Sequence, residues 1–325
     1  MPRHPTPPTQ LSTARPNPTK VISNFHDDFD EKSLLVAVKN LPKSKLTDKP
    51  ILHFAHANGF VGECYTPLFE IWEKYFTVVA IMRFGMNPNY SINNDWQGLT
   101  DEVSDSIAQA CETHGVPSLV AVGHSVGGMT SLQATLRNNP HISQLVALDP
   151  PLLMGRTSLL WYIAKMIDKN NNNHAMMDTI SPSKLSKRRR VVFDSREQAY
   201  DNFRDKGLFK GFDERAFRGY IDFGMTDLPT ADNPNQVTLT ISREAEVAIF
   251  HNIPTWTWYK KLTTNTPITL VVGDVSHFTD MGSYTLAGQV LGLNVLYHKG
   301  SHMFPLEQPS SVATLVLAMI AQQII

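Results

Sequence analysis

Residues 123–127 read Gly-His-Ser-Val-Gly, after the apolar run 118–122 and before a segment of small residues with helical character. In a strand-turn-helix setting, G-x-S-x-G makes a serine nucleophile. A sharp turn forces the central residue into a strained backbone conformation, and glycines two positions either side let neighbouring segments approach without Cβ clashes. The Ser125 hydroxyl is thereby pushed out above the sheet. The amide of Val126 falls in the first turn of the following helix, where it has no intrahelical acceptor and can donate to a developing oxyanion. Taken alone the pentapeptide is weak, because a bland loop of common residues spells the same pattern.

A serine is barely nucleophilic at neutral pH and needs a base, and imidazole has the right proton affinity. His302 is the candidate, because it follows the apolar run 293–297 and the Gly300-Ser301 turn, a loop placement that can return an imidazole over the nucleophile. The stretch Leu52–Phe60, LHFAHANGF, is an apolar strand ending in a polar, Gly-containing loop, as an oxyanion loop must be. Order along the chain agrees: Ser125, then carboxylates, then His302. Other histidines offer less. His53 and His56, three apart in extended chain, face opposite sides and make no metal pair; His56 shapes the loop, and His124 packs under the elbow. No metal site is expected.

On these residues the chain resembles the α/β-hydrolase superfamily, and more narrowly its serine hydrolases with HANGF in place of the commoner His-Gly-Phe-Pro. The resemblance runs from about Leu34 onward and is weakest across the middle. It implies the α/β-hydrolase fold: a mostly parallel eight-stranded sheet flanked by helices, a catalytic triad, and a lid inserted after the sixth strand. Most relatives place the acid after the seventh strand in a G-x-x-D pattern, but Gly273-Asp274-Val275-Ser276 puts a serine there. Asp274 lies two positions early and Asp280 four late. Another solution places the acid after the sixth strand, where Leu148-Asp149-Pro150 is similar to the Leu-Asp-Pro stretch of some lipases. Asp149 is preferred, with Asp274 as the alternative and Asp280 behind it. Aligning His56-Ala57 on the family's His-Gly makes Asn58 the second oxyanion donor beside Val126; sliding by two selects Phe60.

The elements that must position these groups follow the alternation of a parallel sheet covered on both faces. Strands are expected at 34–38, 51–55, 76–81, 118–122, 144–148, 268–272 and 293–297, and helices at 99–114, 128–138 and 308–323. The interval 151–255 breaks this rhythm, with amphipathic segments near 195–206 and 213–223, and reads as a helical cap roofing the strand ends. Residues 31–150 and 256–325 form the core, and 1–30, rich in Pro and Thr near its start, a disordered tail without a secretory signal. The basic run Lys187–Arg190 reads as a solvated helix face in preference to an anionic-ligand site, and 170–173 as a mobile loop. Trp161, Tyr162, Trp256 and Trp258 point to an apolar pocket.

At 325 residues the chain can bury a large core. Its formal charge of −1 disfavours nucleic acid, and no apolar run is long enough to cross a bilayer. Cys64 and Cys111 lie in unrelated segments and read as thiols in a reducing compartment, which makes the expected location cytoplasmic. No G-x-G-x-x-G or P-loop occurs, so no cofactor is expected. The expectation is a carboxylic ester hydrolase acting on a small, fairly apolar substrate through an acyl-enzyme. Two other readings stay open on the same scaffold: a non-catalytic small-ligand receptor, and a cofactor-free oxygenase or haloperoxidase-like enzyme.

Overall fold

The computed structural model describes residues 31–255 and 264–322. The tail at 1–30 and Trp256 and Trp258 lie outside the described residues. The chain enters through α1 (Glu31–Asn40), then β1 (Ile51–Ala55), a 3₁₀ turn at Gly62–Tyr65, α2 (Thr66–Trp72), β2 (Thr77–Ile81), α3 (Gln97–His114), β3 (Leu119–His124), α4 (Val126–Leu136) and β4 (Ile142–Leu148). An insertion follows: α5 (Gly155–Asn170), α6 (Ala175–Ile180), α7 (Ser183–Lys187), β5 (Val192–Phe193), α8 (Arg196–Arg204), α9 (Glu214–Phe223), β6 (Met225–Asp227), β7 (Val237–Leu239) and α10 (Arg243–His251). The sheet resumes with β8 (Ile268–Gly273), α11 (His277–Asp280), α12 (Ser283–Leu291), β9 (Asn294–His298), α13 (Phe304–Glu307) and α14 (Pro309–Gln322).

The main sheet is wholly parallel, in the order β2-β1-β3-β4-β8-β9. Side chains alternate across it, so its strands feed two cores. Leu52, Phe54, Val120, Val122, Val146 and Leu148 belong to one, and Ile51, Ala55, Leu119, Ala121, Leu145 and Ala147 to the other. Burial on both faces is why these strands read as continuous apolar runs.

Among the described residues the main sheet has six strands in place of the expected eight. The run 34–38 is part of helix α1, not a strand: Leu34, Ala37 and Val38 are buried while Leu35 and Val36 face out. That is a 3.6-residue period, with Glu31 in the first turn and Lys39 in the last to suit the helix dipole. The strand that carries the HANGF loop is thus the first of the described sheet.

The insertion is not wholly helical either, since β5, β7 and β6 form a three-stranded antiparallel sheet. Residues 170–173 make no long loop: Asn170 ends α5, and a tight turn through Asn172 (φ 51°) leads into α6.

Candidate active site

Ser125 sits between β3 and α4 with φ 54° and ψ −119°, a conformation that costs a non-glycine residue about 1–3 kcal/mol. Its neighbours over-determine it. A Cβ on Gly127 would stand 2.1 Å from the Ala55 carbonyl oxygen, and one on Gly123 would stand 2.5 Å from the Gly127 backbone. Only glycine allows α4 to be seated so closely on β1 and β3. The Ser125 amide donates to the Leu148 carbonyl at 2.9 Å, tying the turn to the end of β4.

His302 arrives from the loop after β9. Its Nε2 lies 2.9 Å from Ser125 Oγ and its Nδ1 2.6 Å from Asp149 Oδ2. A carboxylate only accepts, so Nδ1 carries the proton and Nε2 is left to accept from the serine hydroxyl. The loop is braced from several sides: Gly300 has φ 142°, its amide donates to Asp274 Oδ1 at 2.9 Å, and Ser301 Oγ donates to Glu307 at 2.5 Å.

Of the three carboxylates weighed from sequence, Asp149 is the one hydrogen-bonded to His302. It is fully buried, with φ 42°, and its amide donates to the Val271 carbonyl at 2.8 Å. Oδ1 accepts from the Gly273 amide at 2.7 Å, and Oδ2 accepts from Ser276 Oγ at 2.6 Å as well as from the imidazole. Asp274 instead holds the Gly300 amide, and Asp280 is exposed. Ser276 is a group the sequence reading passed over as a missing acid, although its position was the signal.

The loop after β1 is equally fixed. His56 Nε2 accepts from the Phe84 amide at 2.8 Å, so its Nδ1 donates to the Ala57 carbonyl at 2.9 Å. Burial lowers His56 to about 4, which keeps this ring neutral. The Phe60 amide donates to the Ala57 carbonyl at 3.3 Å, and the Phe60 ring packs on Phe209, Phe212 and Tyr220 of the insertion. The amides of Asn58 and Val126 have no acceptor among the described residues. Asn58 Nδ2 donates to the Glu246 carbonyl at 3.1 Å, so α10 of the insertion grips the loop.

His124 does more than pack. It is buried, and desolvation holds it well below the ordinary histidine range. As a neutral ring it donates from Nε2 to the His302 carbonyl at 2.9 Å and accepts at Nδ1 from Tyr65 Oη at 2.6 Å; Tyr65 Oη in turn accepts from the Ala57 amide at 3.3 Å. This buried chain joins the β1 loop, the elbow and the His302 loop. Sequence offered no signal for Tyr65.

The basic run is not a uniformly solvated face. Arg189 is turned in, bonded to Glu246 at 2.6 Å and to Tyr220 Oη, while Lys187 pairs with Asp178 at 2.5 Å. Trp161 is buried against the core, with its indole part of the packing under α5. Cys64 and Cys111 are free and buried. No cluster of three or more His, Cys, Asp or Glu able to hold a metal occurs among the described residues.

A strained serine between strand and helix, bonded to a histidine from the last strand's loop, is accompanied by a family match over residues 77–284, described as the alpha/beta hydrolase fold. The chain belongs to the alpha/beta hydrolase fold family. Among curated proteins, this family member is similar to a human (lyso)-N-acylphosphatidylethanolamine lipase, 30% identical over 70 residues. That match covers 22% of this chain and 20% of the lipase, so it spans about a fifth of the relative's length. Among solved structures, an E-2-(acetamidomethylene)succinate hydrolase superposes with a TM-score of 0.61 at 16% identity, over 85% of this chain and 91% of that one. The thioesterase domain from the curacin biosynthetic pathway gives 0.58 at 15%, over 83% and 92%. At such identities the structural likeness speaks for the fold.

Proposed function

We propose that this hydrolase cleaves an ester-type acyl bond of a small, fairly apolar substrate through an acyl-enzyme on Ser125. The observation that carries the reading is the continuous chain from Ser125 Oγ through His302 to buried Asp149, with hydrogen bonds of 2.9 and 2.6 Å. His302 Nε2 takes the hydroxyl proton as Oγ attacks the carbonyl carbon, and Asp149 stabilises the imidazolium that results. The carbonyl oxygen, now anionic, accepts from the Asn58 and Val126 amides, each worth about 10² to 10³ in rate. His302 then returns the proton to the departing alcohol, and water repeats the sequence on the acyl-enzyme.

Ser125 excludes an alkyl-ester intermediate of the kind an aspartate nucleophile forms, so acyl chemistry fits best. A lipase and a thioesterase domain among the similar proteins favour an ester or thioester. Residues 151–255 act in this reading as the lid, gripping the oxyanion loop through Glu246 and Asn58. The receptor alternative drew on the irregular acid region; the hydrogen bond between Asp149 and His302 supports the catalytic reading over it.

The test is covalent labelling by a fluorophosphonate together with turnover of a short-chain aryl ester. Labelling and turnover, both lost in Ser125→Ala, are expected. A chain that binds the ester without turning it over would instead be a receptor, and ester-independent oxygen uptake would identify an oxygenase.

A further inference from the structure

Helix α5 is built inside out. Ser158, Trp161, Ala164 and Asp168 are buried, with Lys165 beside them. The polar ones are bonded into the protein. Ser158 Oγ donates to the Thr255 carbonyl at 3.0 Å; Lys165 Nζ donates to Asp95 Oδ1 and to the Ile253 carbonyl, both at 2.9 Å; the Asp168 carboxylate accepts from the Met176 and Met177 amides, opening α6. The opposite face carries Leu159, Leu160, Ile163, Met166 and Ile167, exposed by 38 to 65%. Their spacing of one, three and four places them in a single stripe over more than two turns. Scattered apolar residues on a surface need no explanation, but a contiguous stripe marks an interaction site.

The charge of this part of the insertion names the partner. Residues 155–190 hold eight lysines and arginines against two aspartates; with Lys165 and Arg189 turned in onto Asp95 and Glu246, the rest leave a formal excess of +4 in a chain of net −1. Both aspartates are engaged: Asp168 caps α6, and Asp178 is held by Lys187, His251 and Ser183. Arg156, Lys169, Lys184 and Arg188 are exposed and have no carboxylate partner among the described residues. A second copy docked by the same face would set cation against cation. An anionic lipid surface satisfies both features at once, since apolar side chains enter the acyl boundary while lysines and arginines meet the headgroups.

We propose that the α5 stripe, together with the exposed cations of α5 and α7, docks this protein on an anionic phospholipid surface. The attachment lies on the membrane; no helix among the described residues is long and apolar enough to cross one. It goes beyond the hydrolase reading and does not require Ser125.

Flotation of the full chain as Ser125→Ala, which prevents lipid turnover, with vesicles of phosphatidylcholine alone or mixed with phosphatidylserine, tests it. At low salt the chain is expected on the mixed vesicles at least about tenfold more tightly than on phosphatidylcholine, with the preference lost at high salt. Adding Leu160→Ser with Ile163→Ser should weaken binding about tenfold or more, and Lys184→Gln with Arg188→Gln about 30-fold. These side chains are exposed, so unchanged circular dichroism and thermal midpoint check that the variants are folded. No vesicle binding, or equal binding by all forms, overturns the proposal. So does a concentration-dependent dimer dissolved by Leu160→Ser and Ile163→Ser without vesicle binding, or binding to polyglutamate instead of vesicles. Ester turnover by the chain carrying Ser125 is measured separately, so either reading can fail while the other stands.

Discussion

Ser276 Oγ donates to Asp149 Oδ2 at 2.6 Å, so the serine standing where relatives carry an acid supports the carboxylate that reaches His302 from the neighbouring strand. β4 and β8 are adjacent and parallel, which brings residues 149 and 276 together across their carboxyl ends.

From this arrangement Asp149→Asn is expected to lower kcat by about 10⁴, because the amide can no longer fix the imidazole tautomer. Asp274→Asn keeps an oxygen for the Gly300 amide and should change kcat less than about tenfold. Ser276→Ala removes one donor to a buried carboxylate, a loss of about 1.5–3 kcal/mol in stability, while the Gly273 amide still holds Oδ1. Steady-state kinetics and thermal unfolding separate the three.

The site was legible in the sequence where the chemistry demands particular residues at particular spacings. Gly123 and Gly127 are legible because a Cβ at either would strike neighbouring backbone, and Ser125 and His302 because a nucleophile needs a base and the two follow apolar strand runs in the expected order. Asp149 stood out by its place at a strand end, but only tertiary packing decides between it and Asp274. Asn58 is preferred over Phe60 by aligning His56-Ala57 on the family's His-Gly, and the Phe60 amide, which donates to the Ala57 carbonyl, is a local turn bond that no pattern encodes. Helix α1 was misread because Leu34–Val38 is a short unbroken apolar run, which strand and helix share until burial reveals the period. Arg189 likewise gave no sign that its partner, Glu246, would be 57 residues away.

Tyr65→Phe breaks the buried link from the Ala57 amide to His124 and leaves His124 Nδ1 without its donor. Because the chain ends on the His302 carbonyl, the variant should lower kcat by about tenfold with KM little changed. A loss confined to KM would mean the tyrosine serves substrate binding instead.

Glu102 is buried on α3, and desolvation raises its carboxyl to about 7, against a single bond from the Gly85 amide at 3.2 Å. Between its ordinary value of 4.5 and about 7 the unfolded chain is ionised there and the folded one is not. Stability contributed by this site therefore falls as pH rises through that window and stays lower above it. Glu102→Gln keeps an acceptor for Gly85 and should raise the melting temperature above pH 7, with the gain vanishing below pH 4.5. A pH-independent difference between the two proteins would contradict this.

The most direct test of the account is to quench the reaction with an aryl ester before steady state and map the acylated peptide by mass spectrometry. A burst of released phenol and an acyl group on Ser125 are expected, both absent in Ser125→Ala and in His302→Gln. Acylation at another residue, or full turnover by Ser125→Ala, would contradict it.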